Sequence, residues 1–387
     1  VNSWVQISEE RLAANFSVVA EAAGADTDVL AVVKADAYGH GAELCAVALA
    51  RVGVKWLGVA CASEGVRVRR ALDAAGFAGE DAPGILVMCG IMPEDVAAIV
   101  EHALTSVVWT AEQVRWLAGT GARVHVEVET GMGRQGVRPG SALEEVLDAA
   151  GEAGISVDGI LTHFCAAEVA SSERTQAQER RFEEAIAQVR ERGLAVKLVH
   201  AGSSSTVDNP AQSSPWLVDL AKTVGARAMV RCGIALYGYC LPIEGAAVEP
   251  KLRPALHPVM TWRTRVVDVR DVSAGETVGY NGTYTAPRPM RLALLLVGYS
   301  DGLRRELSST NTKPGGWVMI RERDGVDQRA AIVGRISMNL TMVDVSRIDG
   351  VCVGDEVVLL GDGVTADDHA QLAGTISYEI LCGVRAR

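Results

Sequence analysis

The chain has 387 residues, which at roughly 150 residues per domain means two to three domains, or one large barrel with a smaller partner. Its 37 basic and 48 acidic residues leave a formal charge of −11, a poor match for a phosphate backbone, so no nucleic-acid partner is expected. Hydrophobic residues make up 49% and charged residues 22%, a globular rather than disordered mix, and no uncharged apolar run approaches the roughly 18 residues of a membrane span.

There is no leader-like pattern at the start, and the reading is of a soluble cytoplasmic protein without a membrane partner. Eight cysteines (Cys45, Cys61, Cys89, Cys165, Cys232, Cys240, Cys352 and Cys382) form no CxxC pair and no Cys/His array. Buried free thiols are expected, with no disulfide and no metal.

Apolar runs at 29–33, 56–60, 84–88, 105–109, 124–128, 159–161, 197–199 and 228–230 alternate with stretches of helical period at 42–52, 63–75, 93–102, 142–153 and 172–192. Alternating strand and helix predicts a parallel sheet with crossover helices. Eight such units within residues 1–245 favour an α/β fold of the (β/α)8, TIM-like barrel kind over a doubly wound sheet. Pro242, Pro250, Pro254 and Pro258 suggest a linker over 244–258. Beyond it, Val-, Met- and Thr-rich runs at 259–269, 291–298, 316–320, 328–333, 340–345 and 356–360 predict a C-terminal mainly-β domain over 246–387. The first few residues could join that domain, and one short helix is expected at 366–373.

In a barrel the chemistry gathers where strands end. The polar residues there are Lys34 with Tyr38 and His40, then Glu127, Glu129 and Arg134, then His163, then His200 with the serines 203–205, then Arg231 with Gly233. Lys34 directly follows four apolar residues, so it leaves the core partly desolvated, as a Schiff-base nucleophile requires. Position alone fits a snorkelling strand-end lysine better. Ser203–Ser205 and Gly233-Ile234 could offer hydroxyls and amides to a phosphate, although each also fits a tight turn. A Schiff-base lysine with a phosphate cradle in a barrel suggests pyridoxal phosphate.

Residues 31–41, AVVKADAYGHG, resemble the pyridoxal-phosphate attachment signature of bacterial alanine racemases. The motifs TGMGR at 130–134, THF at 162–164, RCGIALYG at 231–238, GYNGTY at 279–284, VGYSDG at 297–302, GRISM at 334–338 and ISYEI at 376–380 follow in the family's order. The resemblance implies a cofactor-binding barrel, a β domain and a head-to-tail homodimer with its active sites at the subunit interface, racemising L- and D-alanine for peptidoglycan. Lys34 would hold the cofactor and exchange the substrate Cα proton on one face. Tyr280 of the partner subunit would serve the other. Arg231 would face the pyridine nitrogen, with His163 and His200 tying Tyr280 and Arg231 into a hydrogen-bond network. Tyr38, Ser204, Gly233, Ile234 and Tyr378 match the phosphate-binding set. Arg134 would donate to the cofactor's phenolic oxygen and the substrate carboxylate, and Met338 and Tyr299 match groups near the substrate and its channel.

The chain also departs from the family pattern. Glu127 stands where many members have a carbamylated lysine, and its native carboxylate is expected to orient Arg134 directly. Asn339 and Glu168 occupy places where aspartate is usual, Glu168 with the reach to narrow the entrance. Ser203 replaces an asparagine, and the ending Arg385-Ala386-Arg387 lacks the common Pro-Arg. These changes leave a serine or broad-specificity racemase as the alternative reading. A decarboxylase of the related fold is disfavoured by Arg231, and a non-catalytic cofactor carrier by the β domain with Tyr280.

Overall fold

A computed structural model describes residues 3–212, 214–321 and 325–385; the ending at Ala386 and Arg387 lies outside the described residues. The chain divides into two compact units, one of residues 9–37 and 41–257, the other of residues up to 8, 38–40 and from 258 onward. The second unit's first strand is β1 (Ser3–Ile7).

The larger unit is a closed parallel barrel of β2 (Thr27–Val32), β3 (Trp56–Val59), β4 (Gly84–Val87), β5 (Thr105–Val108), β6 (Arg123–Glu127), β7 (Ser156–Leu161), β8 (Leu198–His200) and β9 (Arg227–Cys232). Strand β9 pairs back on β2 with Ala31 opposite Cys232. Barrel strands are covered on both faces and so read as continuous apolar runs, which is why all eight lie within a few residues of the expected positions. Two barrel glycines lie in close packing. A Cβ at Gly58 would sit 2.6 Å from Leu30 Cδ2, and one at Gly159 would sit 2.7 Å from the His125 ring.

Helix Glu9–Ala23 was not foreseen. Its buried stripe of Leu12, Val19 and Ala23 is interrupted by buried Asn15. That carboxamide is fully used: it donates to Leu236 O (3.0 Å) and His257 O (2.9 Å) and accepts from His257 N (3.0 Å). The proline-rich stretch is therefore no free tether. Asp208 adds to its hold, accepting from Lys251 N (3.1 Å) through its carbonyl and from Leu252 N (2.7 Å) through its carboxylate.

The second unit is built on the 13-residue β10 (Met260–Val272), followed by the small hairpin β11 (Thr277–Val278) and β12 (Tyr284–Thr285). The sheet then takes in β13 (Met290–Leu295), β14 (Trp317–Arg321), β15 (Asp327–Ile332), β16 (Thr341–Asp344) and β17 (Glu356–Leu360). Its antiparallel order is β1-β10-β13-β16-β15-β14-β17, and β17 pairs again with β10, so six strands close on themselves. Strand β1 joins the open side of β10, with Ser3 opposite Thr264 and Ile7 opposite Met260. Helix Ala366–Ala373 begins at Thr365, whose hydroxyl accepts from Asp368 N (3.2 Å), at the expected place. Helix Ser377–Cys382 is additional.

All eight cysteines are free, but only Cys45, Cys232 and Cys240 are buried. The other five are exposed, which corrects the expectation of buried thiols. Among the described residues no helix is long and apolar enough to cross a membrane.

Candidate active site

Lys34 leaves the barrel just beyond β2, half-buried, with no hydrogen-bond partner for its amine among the described residues. The backbone that follows is unusual. Ala35, Asp36, Ala37 and Tyr38 have φ of 53°, 54°, 53° and 56°, and Gly39 follows at 82°, so this stretch winds as a left-handed helix. Each L-residue held this way costs about 1–2 kcal/mol, because Cβ crowds the following carbonyl. Side chains sustain the cost. The Glu64 carboxylate accepts from Ala35 N (2.9 Å) and Ala60 N (2.8 Å), and Asp36 accepts from Ala42 N (2.9 Å). Ala35 is exposed, so its Cβ makes strain without packing. Ala35→Gly is expected to raise stability by about 0.5–1 kcal/mol after the entropy glycine adds to the unfolded chain, and Ala35→Val to lower it by about 2 kcal/mol, read from urea midpoints at constant m.

Four strand ends converge around Arg231. On β9, its buried guanidinium donates through Nη2 to Thr162 O (2.7 Å) and His163 Nδ1 (3.1 Å), and through Nη1 to His200 Nδ1 (3.2 Å). Arginine offers only donors, so both Nδ1 atoms must be acceptors and both rings carry their proton on Nε2. His200 Nε2 lies 2.9 Å from His125 Nδ1 on β6, and its proton therefore goes there. The chain ends at His125 Nε2, a buried atom with no partner. Burial holds all three rings neutral: His163 and His125 are pushed down to about 3, and His200 lies well below its usual range. Burial also lowers Arg231, to about 10, with Glu127 opposing, so it stays charged at neutral pH. Lys34 and Arg134 are close enough for their charges to depress His163 as well.

Arg134 sits on the loop after β6, exposed, with no side-chain hydrogen bond to the described residues. Its fork is open to a ligand. Glu127 is buried, and burial raises its pKa against the pull of the Gln135 hydrogen bond and of Arg231 and Arg134. Its Oε2 accepts from Gln135 Nε2 at 2.6 Å rather than from Arg134. That corrects the expectation of direct contact: Gln135, one residue beyond Arg134, takes the carboxylate oxygen instead.

Ser204 Oγ accepts from the amides of Gly233 (3.1 Å) and Ala235 (3.3 Å), with Ile234 buried between them. In the second unit, Tyr38 and Tyr378 pair with ring centroids 5.8 Å apart, and Gly39 packs so closely that a Cβ would lie 2.6 Å from Leu381 O. Of the departing residues, Glu168 accepts from Ser205 Oγ (2.8 Å), Ser203 N donates to Thr206 Oγ1 (3.1 Å), and Asn339 donates to Ser300 Oγ (2.8 Å).

Tyr280 stands at the tip of the β11–β12 hairpin, between Gly279 (φ 77°) and Asn281 (φ 62°), and is 64% exposed. Met338 and Tyr299 are also exposed, and their loops are joined through Tyr299 N to Ser337 O (3.1 Å) and Ser300 N to Met338 O (3.0 Å). The hairpin packs on the same segment, since Gly279 has only 3.0 Å between a Cβ and Arg335 N. Three large apolar side chains thus share one unpartnered loop cluster.

The family "Alanine racemase, N-terminal domain" matches residues 7–241, and "Alanine racemase, C-terminal domain" matches 259–387. The chain belongs to the alanine racemase family. The alanine racemase of Syntrophobacter fumaroxidans is 36% identical over 99% of this chain and 95% of its own length, and that of Cutibacterium acnes 37% identical over 97% and 94%. Among solved structures, the alanine racemase of Clostridium difficile superposes with a TM-score of 0.85 at 27% identity, covering 99% of this chain and 94% of that one. That of Bartonella henselae, with covalently bound pyridoxal phosphate, gives 0.78 at 25%, covering 99% and 97%.

Members of this family are pyridoxal-phosphate-dependent isomerases, and the residues here fit that group. Three of the five donors on Arg231 are used inside the barrel, leaving two for a ligand atom. With the Gly233 and Ala235 amides donating to its oxygen, the Ser204 hydroxyl keeps its own proton to give to a phosphate oxygen, and the Lys34 and Arg134 side chains have no competing hydrogen-bond partners among the described residues. His125, Gln135 and Glu64 were missed from sequence. For His125 a signal existed: Arg123, His125 and Glu127 alternate with valines, which marks one face of β6 as polar.

Proposed function

We propose that this chain interconverts L- and D-alanine as a cytoplasmic homodimer, with pyridoxal phosphate at the barrel mouth and D-alanine passing to peptidoglycan. The observation that carries this reading is the buried, charged Arg231, held by two neutral histidines with donors to spare, beside a half-buried and unpartnered Lys34. When bound, the cofactor supplies an electron sink that acidifies the substrate Cα–H. Inversion needs one group to take that proton and another to return it from the opposite side. Lys34 Nζ would serve one face, and the phenol of Tyr280 of the partner subunit the other, which explains an exposed tyrosine on a hairpin tip. Arg231 cannot give its proton to a ring nitrogen, so the sink stays weak, which favours proton exchange over decarboxylation. His163 and His200 fix its plane. Arg134, with Met338 and Tyr299, would hold the substrate carboxylate, and Ser204, Gly233 and Ile234 would hold the phosphate, with Tyr38 and Tyr378 assigned to the same set by resemblance.

The test is the decay of optical rotation of L-alanine in the presence of pyridoxal phosphate, with D-alanine resolved chromatographically. The expected kcat/KM for alanine exceeds those for serine and lysine by tenfold or more. Equal or greater turnover of serine would establish the broad-specificity alternative instead, and release of carbon dioxide would refute racemisation.

A further inference from the structure

Two thiols stand side by side where the barrel strands β3 and β4 end. The strands run parallel in a fixed register, with Trp56 opposite Gly84 and Val59 opposite Val87. Their hydrogen bonding continues beyond the last paired residues: Met88 N donates to Val59 O (2.9 Å) and Cys89 N to Ala60 O (3.1 Å), which brings Cys61 opposite Cys89. Side chains alternate along a strand. Gly58 and Met88 face the barrel interior, where a Cβ on Gly58 would lie 3.0 Å from Met88 Sδ, so Cys61 and Cys89 both face away from it. Both are free and exposed. Neighbouring parallel strands lie about 4.8 Å apart, inside the roughly 4.4–6.8 Å between Cα atoms that a disulfide bridges. Cys61 Sγ is turned to Ser63 Oγ, 3.1 Å away, and rotation about its Cα–Cβ bond redirects it to its neighbour.

Cys61 is also the N-cap of helix Ala62–Ala74, to which it gives no side-chain hydrogen bond. The first turn of that helix carries Glu64, whose carboxylate accepts from Ala60 N (2.8 Å) and from Ala35 N (2.9 Å), the amide directly after Lys34. Helix ends fray, the more so where their first amides lack a cap. Each opening of this turn releases the left-handed backbone beyond Lys34. We propose that Cys61 and Cys89 form a peroxide-sensitive dithiol whose disulfide fastens the start of this helix and so stiffens the turn that follows Lys34. With hydrogen peroxide as oxidant the chemistry balances. One thiolate attacks a peroxide oxygen, expels hydroxide and becomes a sulfenic acid; the other sulfur attacks that sulfur and its oxygen leaves as water. Two thiols and one peroxide thus give one disulfide and two waters, and a dithiol reductant reverses the bond.

The test needs no turnover and so stands apart from the racemase reading. The full chain, in the presence of pyridoxal phosphate, is treated with hydrogen peroxide, quenched with N-ethylmaleimide and digested without reductant. The expected product is a peptide linked through Cys61 and Cys89, with two of the eight thiols lost and both recovered by dithiothreitol. Amide hydrogen exchange over residues 35–39 should then slow about threefold or more. In Cys89→Ser, which leaves the cap position untouched, the same treatment should yield no link and no slowing. Cys61→Ser supplies the missing cap hydroxyl and should slow the same amides without any oxidant. Sulfinic acid at either cysteine in place of the link overturns the proposal, as does a link between two chains. A Cys61–Cys89 bond that leaves exchange over 35–39 unchanged overturns it equally.

Discussion

Replacing Lys34 by alanine is expected to abolish racemisation of both enantiomers, together with cofactor-dependent visible absorbance, whereas Tyr280→Phe is expected to split two activities that normally travel together. With Lys34 intact, one face of the substrate keeps a base. That enantiomer should go on exchanging its Cα proton with solvent deuterium and return with its configuration unchanged. The other enantiomer loses its base, and inversion falls by about 10²- to 10⁴-fold, the usual effect of deleting a positioned acid–base group. Proton NMR of L- and D-alanine in deuterium oxide follows wash-out and inversion separately. Wash-out from both enantiomers at the parental rate would remove Tyr280 from the mechanism. The contrast is sharp because the phenol has no structural duty here: Tyr280 is 64% exposed and makes no hydrogen bond among the described residues.

Acidification from pH 7 to pH 5 is expected to cost several kcal/mol of stability. His125, His200 and His369 are buried and neutral; burial takes His125 from its ordinary 6.5 down to about 3, His369 to about 4, and His200 well below 6.5. Their folded pKa values lie below the unfolded ones, so between those limits the unfolded chain binds more protons and acid favours unfolding. At pH 5 the rings of His125 and His369 each contribute about 2 kcal/mol of lost stability, and burial of His200 acts in the same direction; the contribution vanishes above about pH 7. Urea midpoints across this range provide the measurement. A flat profile would contradict it. His369→Phe should remove about 2 kcal/mol of the loss, and since His369 makes none of the contacts around Arg231, racemisation at pH 8 gives an independent control on folding.

The barrel was legible because its strands are short apolar runs, and the polar residues at the ends of several of them exposed Lys34, His163, His200 and Arg231. What escaped notice did so for local reasons. The first residues were read as able to join the β domain but not as strand β1, which has five residues and a partner, β10, some 250 positions later, so nothing near it in sequence signals the pairing. Helix Glu9–Ala23 carries Asn15 in its buried stripe, which dilutes the period that would have revealed it. His125 was missed although its alternation with valines between Arg123 and Glu127 marks a polar face of β6, because a strand interior suggests packing rather than chemistry. Glu127 was conspicuous, yet its partner was misjudged: Arg134 has the opposite charge, but Gln135 has the reach. Charge complementarity proposes partners in a sequence, and backbone direction chooses among them.

The left-handed turn beyond Lys34 has a stereochemical implication. Four consecutive L-residues, Ala35 to Tyr38, occupy torsion angles in which their mirror images would rest without strain. A chain assembled by chemical ligation with D-alanine at position 35 should therefore relax there, and the exposed site leaves room for the inverted methyl group. If the proposed activity is right, the protein would then hold within its own backbone, one residue from its reactive lysine, the very configuration it makes in solution.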